Sequence, residues 1–346
     1  MMSHIGHFVA LTKPRVVILL QITAVCAVIV HDVLDSELDA ESLRTIAVVL
    51  VGGYLTAGGA NSINMWYDRD IDPKMTRTAD RPIPSGAVSA NSALGFGVAL
   101  SILGVTWFVV LSNQVAAFWS AFSILFYVFV YSMWLKRITP QNIVIGGIAG
   151  STPPLIGWAA CEDDLSISTD SIESILESLF NLGSLMPWFM FVLIFLWTPP
   201  HFWALALYRS AEYADVGVPM MPNVKGAERT IKEMKVYALL LVALSIAAPM
   251  SYGGIDGGDA IFHVLGWTVV GLSLWYASTV WRIDMTEQPD STGRIASAAS
   301  SFFISMLYLA MMFIVLVTAS FGIVGALIGA ILTIVSIGRS ELRVSS

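Results

Sequence analysis

An amide and two carboxylates, Asn64, Asp68 and Asp72, recur at a spacing of four where a long apolar segment of the chain ends. If an α-helix continued through them, each step of four would advance only about 40° around the axis, so all three would share one face. Their oxygen atoms suit Mg²⁺ carrying a diphosphate, because Mg²⁺ shares its shell between a few carboxylates, substrate phosphates and water. The alternative is a solvated acidic helix end at a membrane surface.

A second polar group follows the sixth apolar segment with a similar pattern. Tyr208 and Glu212 are four apart, and Asp215 follows three residues later. Two facing acidic clusters could hold metal ions around one diphosphate and neutralise its charge as it leaves. Recurrence after the second and sixth segments suggests two related halves, as in membrane proteins with internal repeats. Ordinary loop solvation is the alternative explanation for Glu212 and Asp215.

Cationic side chains near these clusters are candidates for binding the diphosphate. Arginine forms forked hydrogen bonds with phosphate oxygens, and lysine provides a compact positive charge. The candidates are Lys13, Arg77, Arg81, Lys136 and Arg137. For Lys13, Lys136 and Arg137, the alternative is an anchoring role at the inner membrane surface.

His201 follows Pro199 and Pro200 near the inner end of the sixth apolar segment. Prolines interrupt the backbone hydrogen bonds of a helix. A membrane protein tolerates this only where protein groups or water replace the lost hydrogen bonds. An ionisable residue at that depth is a functional candidate, here as a contact or axial ligand of haem iron. The alternative is a structural histidine bonded to a freed carbonyl.

The composition predicts a polytopic α-helical membrane protein. Of 346 residues, 56% are hydrophobic and 12% charged, which is more apolar surface than a soluble chain of this length could bury. The windows long enough to span a bilayer are 15–31, 45–67, 92–111, 115–134, 142–160, 187–207, 236–252, 260–281 and 298–318, with a short tenth at 322–337.

Basic residues predict the orientation. The loops carrying the acidic motifs are basic, whereas the alternate loops are acidic and contain Arg44 as their only basic residue. We therefore expect the N-terminus and the motif loops on the cytoplasmic face of the plasma membrane. The acidic outer loop 161–186 is expected to be a partly helical cap ending in Pro187. Cys26 and Cys161 show no metal-binding spacing and are interpreted as packing residues, and His31 is interpreted as a structural residue.

Further sequence blocks, together with the first motif, resemble the UbiA superfamily of intramembrane prenyltransferases, and within it the branch that farnesylates haem. The resemblance runs from Leu11 to about residue 318 and is specific because it includes several separate blocks. The blocks are Thr12-Lys13-Pro14-Arg15, Met75-x-Arg77-Thr78, Arg81-Pro82, Leu135-Lys136-Arg137, Asn142 to Gly147, Pro153 to Trp158, Pro200-His201-Phe202-Trp203 and Gly217 to Pro222.

The resemblance implies one domain over 1–346, with a core at 11–318 and an extension at 319–346. It implies nine core helices around a central cavity, capped by loops 68–91 and 208–235. The implied reaction is Mg²⁺-dependent transfer of farnesyl from farnesyl diphosphate to a vinyl group of haem b, with addition of water. Haem A synthase or oxidase-assembly proteins are the implied partners, besides the bilayer, and no nucleic acid.

The site residues implied by the resemblance fall into three groups. The metal ligands are Asn64, Asp68, Asp72, Glu212 and Asp215; the catalytic residues are Asp68, Asp72, Glu212 and Tyr208; the substrate-binding residues are Arg77, Arg81, Lys136, Arg137, Lys13 and His201. One departure is Glu212, where this branch usually has aspartate. A prenyltransferase acting on a quinone precursor or lipid is the alternative. A transporter is disfavoured because almost no charges lie mid-helix.

Overall fold

The structure is a computed structural model that describes residues 3–75, 77–163, 165–208, 218–255, 257–284, 286–287 and 295–345. The described residues form helices, joined by turns and loops, and no strand. The α-helices are α1 His4–Leu11, α2 Pro14–Asp35, α3 Ala40–Tyr67, α4 Ala90–Leu111, α5 Gln114–Leu125, α6 Asn142–Ser151, α7 Pro153–Ala159, α8 Ile172–Phe180, α9 Met186–Tyr208, α10 Met221–Lys225, α11 Ala227–Ile246, α12 Ala260–Trp281, α13 Ala296–Ser320 and α14 Gly322–Ser345.

Eight helical segments among the described residues are long and apolar enough to cross a membrane. They are α2, α3, α4, α5 with its continuation, α9, α12, α13 and α14. The fifth predicted window is instead divided into α6 and α7, because Pro153 starts a new helix and proline cannot continue one. The predicted helical membrane fold is confirmed, and the count of nine core helices stays a prediction.

The described chain packs as two compact units. The first contains residues 3–31, 38–182 and 218–219, and the second contains 32–37, 183–208 and the described residues from 220 onward. In the first unit, α3 packs along α4, and α5 packs against α4 and α7. In the second, α13 packs against α9, α12 and α14.

Glycines bring α3 and α4 into close contact. A Cβ atom added at Gly97 would lie 2.9 Å from the Gly59 carbonyl oxygen and 2.8 Å from Ile63 Cγ1. Real Cβ atoms do not approach so closely, so the two backbones can meet only because both positions lack a side chain. This contact fixes the part of α3 that leads into the first acidic motif.

The continuation of α5 is a π-helix over Phe126–Trp134, followed by a 3₁₀ turn at Leu135–Arg137. π-helical turns are rare and often occur at functional sites. In this one, the Ser132 hydroxyl donates to the Tyr127 carbonyl, five residues earlier, at 2.8 Å. The segment leads directly to the predicted cations Lys136 and Arg137.

The predicted cap in loop 161–186 is partly helical, as expected. It contains α8, whose N-cap is Ser171, and the Ser171 hydroxyl accepts a hydrogen bond from the Ser174 amide. The C-terminal segment is also a helix, and α14 is longer than the predicted window of 322–337.

Candidate active site

The first acidic motif lies where α3 ends, and the α-helix does not continue through it. Asp68–Asp70 and Asp72–Lys74 form separate 3₁₀ turns. The expectation of one α-helical face is therefore wrong, because α3 ends at Tyr67, and Pro73, which lacks an amide hydrogen, also disfavours a helix at Asp72. The motif residues are nevertheless buried together, and the Asn64 amide donates to Asp68 Oδ2 at 3.0 Å.

Each predicted metal ligand of this motif is bound to a different cationic side chain. Lys13 Nζ donates to Asn64 Oδ1 at 2.7 Å, Lys136 Nζ donates to Asp68 Oδ2, and Arg81 Nη1 donates to Asp72 Oδ1 and Oδ2 at 2.9 and 2.8 Å. Buried carboxylates are strongly destabilising unless they are paired. Lys136 and Arg81 therefore neutralise the two carboxylates in this structure, and all three cations are predicted from the sequence to bind phosphate.

Lys13 has a strained backbone as well as a buried side chain. Its φ angle is 52°, and it is the only described residue other than glycine with a positive φ. Such strain persists only where the surroundings fix the residue, and it is concentrated at functional sites. The Asn61 amide helps to fix this turn by donating to the preceding carbonyl, that of Thr12, at 3.0 Å.

The charged groups of the site act on the Lys13 ammonium together. Burial is the main reason that its pKa falls from 10.5 to about 7. The positive charges of Arg81 and Lys136 lower the pKa in addition, and the carboxylates of Asp68 and Asp72 oppose them. The cluster is therefore electrostatically coupled in one buried region.

The donor set fits a hard divalent cation. Asp68 Oδ1 is buried and accepts no hydrogen bond from the described residues; Arg137 Nη2 lies 3.8 Å from it. A buried polar atom without a partner is rare in folded proteins and requires an explanation. Carboxylate and amide oxygens are the ligands that Mg²⁺ binds, so the open oxygen of Asp68, with Asp72 and Asn64, suits this ion.

The two remaining predicted arginines differ in position. Arg137 donates to both carboxylate oxygens of Asp70 at 2.7 and 2.8 Å and lies 4.6 Å above the centre of the Tyr67 ring. It therefore borders the cluster. Arg77 is exposed and forms no hydrogen bond or ion pair with the described residues. The structure thus brings Lys13, Arg81 and Lys136 into the cluster and leaves Arg77 outside it.

Ser132 is a site residue that the sequence did not indicate. It is fully buried, and its hydroxyl accepts a hydrogen bond from the Asn64 amide at 3.0 Å. The side chain of Asn64 is thereby oriented with its oxygen toward Lys13. A single serine in an apolar segment does not indicate a functional site. The π-helical turn that orients Ser132 toward Asn64 also cannot be recognised from the spacing of apolar residues in the sequence.

His201 belongs to the second unit and is 7% exposed. Its Nδ1 atom lies 2.6 Å from the Ser305 hydroxyl, and its ring stacks between Trp197 and Phe302, with centroids 4.1 and 4.7 Å away. The histidine therefore bonds a hydroxyl rather than the freed carbonyl considered from the sequence. Its haem contact stays a prediction.

The second acidic motif is only partly within the described residues. Tyr208 is the last residue of α9 and is partly buried. Glu212 and Asp215 lie outside the described residues, so their roles as metal ligands stay predictions.

The sequence of this chain is similar to those of known proteins. Residues 22–298 match the sequence profile of the UbiA prenyltransferase family. The chain is 42% identical over 305 residues to protoheme IX farnesyltransferase 2 of Mesorhizobium japonicum, covering 88% of this chain and 86% of that one.

Solved structures share the fold at low sequence identity. A structure concerned with digeranylgeranylglyceryl phosphate synthase in membranes matches with a TM-score of 0.67 and 15% identity, covering 93% of this chain and all of that one. A UbiA homolog from Archaeoglobus fulgidus bound to GPP and Mg²⁺ matches with a TM-score of 0.58 and 16% identity, covering 90% and 99%. The profile match and the 42% identical relative together carry the assignment: this chain belongs to the UbiA prenyltransferase family.

Proposed function

We propose that this protein transfers a farnesyl group from farnesyl diphosphate to a vinyl group of haem b, with addition of water, to give haem O. The observation that carries the proposal is the 42% identity, over 88% of the chain, to a relative named protoheme IX farnesyltransferase 2. The cluster of Asn64, Asp68 and Asp72 with three cations supports it, because departure of a diphosphate requires concentrated positive charge.

In the proposed site, Asn64, Asp68 and Asp72 would hold Mg²⁺, with Glu212 and Asp215 as further ligands from the second motif. When bound, the ion supplies positive charge to the diphosphate oxygens. The A. fulgidus homolog, which binds GPP and Mg²⁺, supports this assignment through the shared fold.

The cations orient the diphosphate by exchanging partners. Lys136 now binds Asp68, and Arg81 now binds Asp72. A metal ion on these carboxylates would repel both cations, and the phosphate oxygens of the substrate would attract them. Lys13 and Arg137 complete the proposed phosphate contacts, and Arg77 reaches the substrate from the surface of the same loop.

The chemical step begins when the bond between C1 of the farnesyl group and the diphosphate oxygen breaks. The electron pair leaves with the diphosphate, where the oriented lysines and arginines stabilise it. The π electrons of the haem vinyl group then form the new carbon–carbon bond, which leaves a cation on the carbon next to the pyrrole ring. Water adds to that cation and loses a proton, giving a hydroxyethylfarnesyl side chain.

We assign Tyr208 a place beside the reacting carbon and His201 a contact with haem.

The proposed setting is the plasma membrane, with the motif loops on the cytoplasmic face. The basic residues of those loops support this orientation. The profile match at 22–298 includes residues of both packing units, so we assign the activity to one domain spanning the chain. Haem A synthase or oxidase-assembly proteins are the proposed partners.

The test is an assay of the purified protein in lipid nanodiscs with haem b, farnesyl diphosphate and Mg²⁺, followed by mass spectrometry. We expect a haem heavier by the mass of farnesol, and no product when EDTA removes the metal. If haem is unchanged while an aromatic or glycerol-phosphate acceptor is prenylated, the acceptor assignment is wrong. If no diphosphate is released with any of these acceptors, the enzymatic proposal fails.

A further inference from the structure

Side chains of types that bind metals meet near the end of α2 opposite Lys13. The ligand atoms of His31 and Cys161 lie within 4.8 Å of each other. His31 Nε2 also lies 3.1 Å from Glu162 Oε1. His31 and Glu162 are 131 residues apart in the chain, so no sequence spacing could indicate these contacts. The sequence alone led to the interpretation of His31 and Cys161 as structural residues, and the contacts suggest a further role for them.

Close packing holds the two helix ends that carry these side chains. A Cβ atom at Gly157 of α7 would collide with the carbonyl oxygen of Ala24 in α2, so α7 lies directly on α2. One turn after this contact, the chain reaches Cys161 and Glu162. The packing of α7 on α2 therefore holds the two segments that carry His31 and Cys161 next to each other.

A buried asparagine fixes the turn after α7. Asn113 is 5% exposed, and its amide donates to the carbonyls of Ala159 and Glu162 at 2.5 and 2.7 Å. On the other side, the ring of Trp158 meets the His31 ring edge-on, with centroids 4.8 Å apart. These contacts restrict both ligand-bearing segments before any ion arrives, which lowers the entropic cost of binding.

The donor types match a zinc site. A carboxylate that bonds one ring nitrogen of a metal-binding histidine orients the ring toward the metal, and the 3.1 Å between His31 Nε2 and Glu162 Oε1 fits such a bond. A cysteine sulfur selects Zn²⁺ over Mg²⁺. Asp32 directly follows His31 in the chain, and the remaining ligand positions are open to a carboxylate or water.

Access also favours a cation here. The Glu162 side chain is 53% exposed, whereas that of His31 is 9% exposed, so an ion can enter from the side of Glu162. The sequence contains no lysine or arginine from residue 138 to residue 208, and the cation recorded beside this turn is Arg44, 3.9 Å from Asp163. Eighteen residues of helix separate His31 from Lys13, or about 27 Å, so this site is distinct from the acidic motif.

We propose that His31 and Cys161 are two ligands of a second metal site, completed by a neighbouring carboxylate and water, which binds one thiophilic divalent cation, Zn²⁺ being the best match. The bound ion fastens the end of α2 to the turn after α7.

Co²⁺ is the probe for the first test, on the purified full-length protein. We expect one equivalent to produce thiolate-to-cobalt charge-transfer absorption and the strong visible bands of tetrahedral Co²⁺. Cys161→Ser should lose the charge-transfer band. Cys26→Ser is the matched control, because Cys26 is the other cysteine and is also partly exposed, and it should keep the band. Co²⁺ on the oxygen ligands of the acidic motif has no sulfur and cannot produce it.

Alkylation gives a second measurement that does not depend on a folded Cys161 variant. In the Cys26→Ser protein, Zn²⁺ at ten times its dissociation constant should slow maleimide labelling of Cys161 about tenfold, and His31→Gln should abolish this protection. A band that survives in Cys161→Ser, or labelling that Zn²⁺ does not slow, would overturn the proposal. Farnesyl transfer by Cys161→Ser should be unchanged, so the outcome is independent of the proposed enzymatic function.

Discussion

Asp68 uses one carboxylate oxygen for Lys136 and leaves the other without a hydrogen bond from the described residues. The same lysine is the proposed phosphate ligand, so it can bind either the carboxylate or the substrate. While it remains on Asp68, its charge opposes a metal ion at that oxygen. Binding of metal and diphosphate should therefore be coupled, each strengthening the other.

Lys136→Met tests this coupling. Without the ammonium group, Asp68 keeps, among the described residues, only the hydrogen bond from the Asn64 amide at Oδ2, and Mn²⁺ should bind about tenfold more tightly in the absence of diphosphate, within the usual range for coupled sites. The measurement is the electron paramagnetic resonance signal of free Mn²⁺ during a titration. Adding diphosphate should tighten Mn²⁺ binding to the wild-type protein more than binding to the variant.

Arg137→Met is the matched control for that titration. Arg137 is bound mainly to the exposed Asp70 and lies 3.8 Å from Asp68, so its loss should change metal affinity much less. Equal tightening in the two variants would indicate a general effect of charge, and weaker binding in Lys136→Met would contradict the exchange of partners.

Asp68→Asn should reduce farnesyl transfer at least about 100-fold, by analogy with the loss of one preorganised electrostatic contact in other enzymes. The substitution keeps the shape of the side chain but leaves Lys136 without its buried partner, so the thermal midpoint should fall, and activity is compared at a temperature where both proteins remain folded. Asp70→Asn, two residues away and 57% exposed, should retain most of the activity. Turnover at the wild-type rate in Asp68→Asn would exclude Asp68 as a metal ligand.

At the scale of elements, α3 carries the site, and the position of its last turns depends on contact with α4. Gly97→Ala would place a methyl group 2.8 Å from Ile63 Cγ1 and 2.9 Å from the Gly59 carbonyl. Such overpacking typically costs about 1–3 kcal/mol, so the variant should unfold at a lower temperature in detergent. Its activity should fall with it, because Ile63 precedes Asn64 directly.

Gly95→Ala is the control on the same helix. Apart from the adjoining backbone, no atom lies within 4 Å of the place that the new methyl group would occupy, and alanine favours a helix over glycine by about 0.5–1 kcal/mol. This variant should be as stable as the wild type or slightly more stable. A similar loss of stability in both variants would show that the contact between α3 and α4 is not the cause.

The π-helical continuation of α5 positions a second part of the site. It brings Ser132 to Asn64 and leads to Lys136 at Asp68, contacts that each join residues 68 apart in the chain. Because a π-turn takes one more residue per hydrogen-bonded ring than an α-turn, it rotates the side chains that follow it. The apolar pattern of 115–134 alone predicts an ordinary helix, in which Ser132 would point elsewhere.

At the scale of the molecule, α14 determines on which side of the membrane the C-terminal end of the chain lies. It is 24 residues long, or about 36 Å, which exceeds the roughly 30 Å hydrocarbon layer. Near its end, Glu341 pairs with Arg282 at 2.7 Å and accepts a hydrogen bond from the Trp275 indole at 2.7 Å. This end therefore lies beside the end of α12, where the basic loops are expected to be cytoplasmic.

Reporter fusions test the tenth crossing. Green fluorescent protein fused after Ser346 should fluoresce, because it folds in the cytoplasm, and alkaline phosphatase fused after Phe321 should be active, because it folds outside. The exchanged reporters at the same two positions should be inactive. If both positions report the same side, α14 does not cross the membrane.

The sequence by itself determined the class of protein, its apolar helices and the candidate residues of the first motif, because hydropathy and local spacing are properties of short segments. It also indicated a binding role for Lys13, Arg81 and Lys136, although it could not assign their partners. The spacing of four at Asn64, Asp68 and Asp72 led to the wrong local geometry, since the regular helix ends at Tyr67 and two 3₁₀ turns follow it.

Only the tertiary structure decided which side chains meet. The pairing of Asn64, Asp68 and Asp72 with different cations, the place of Ser132 and the approach of His31 to Cys161 depend on how the chain folds. Such contacts follow from close packing of glycine faces and from turns that redirect a helix, and neither leaves a periodic signal in the chain. For this reason the residue types of the candidate site could be predicted from the sequence, whereas its electrostatic arrangement could not.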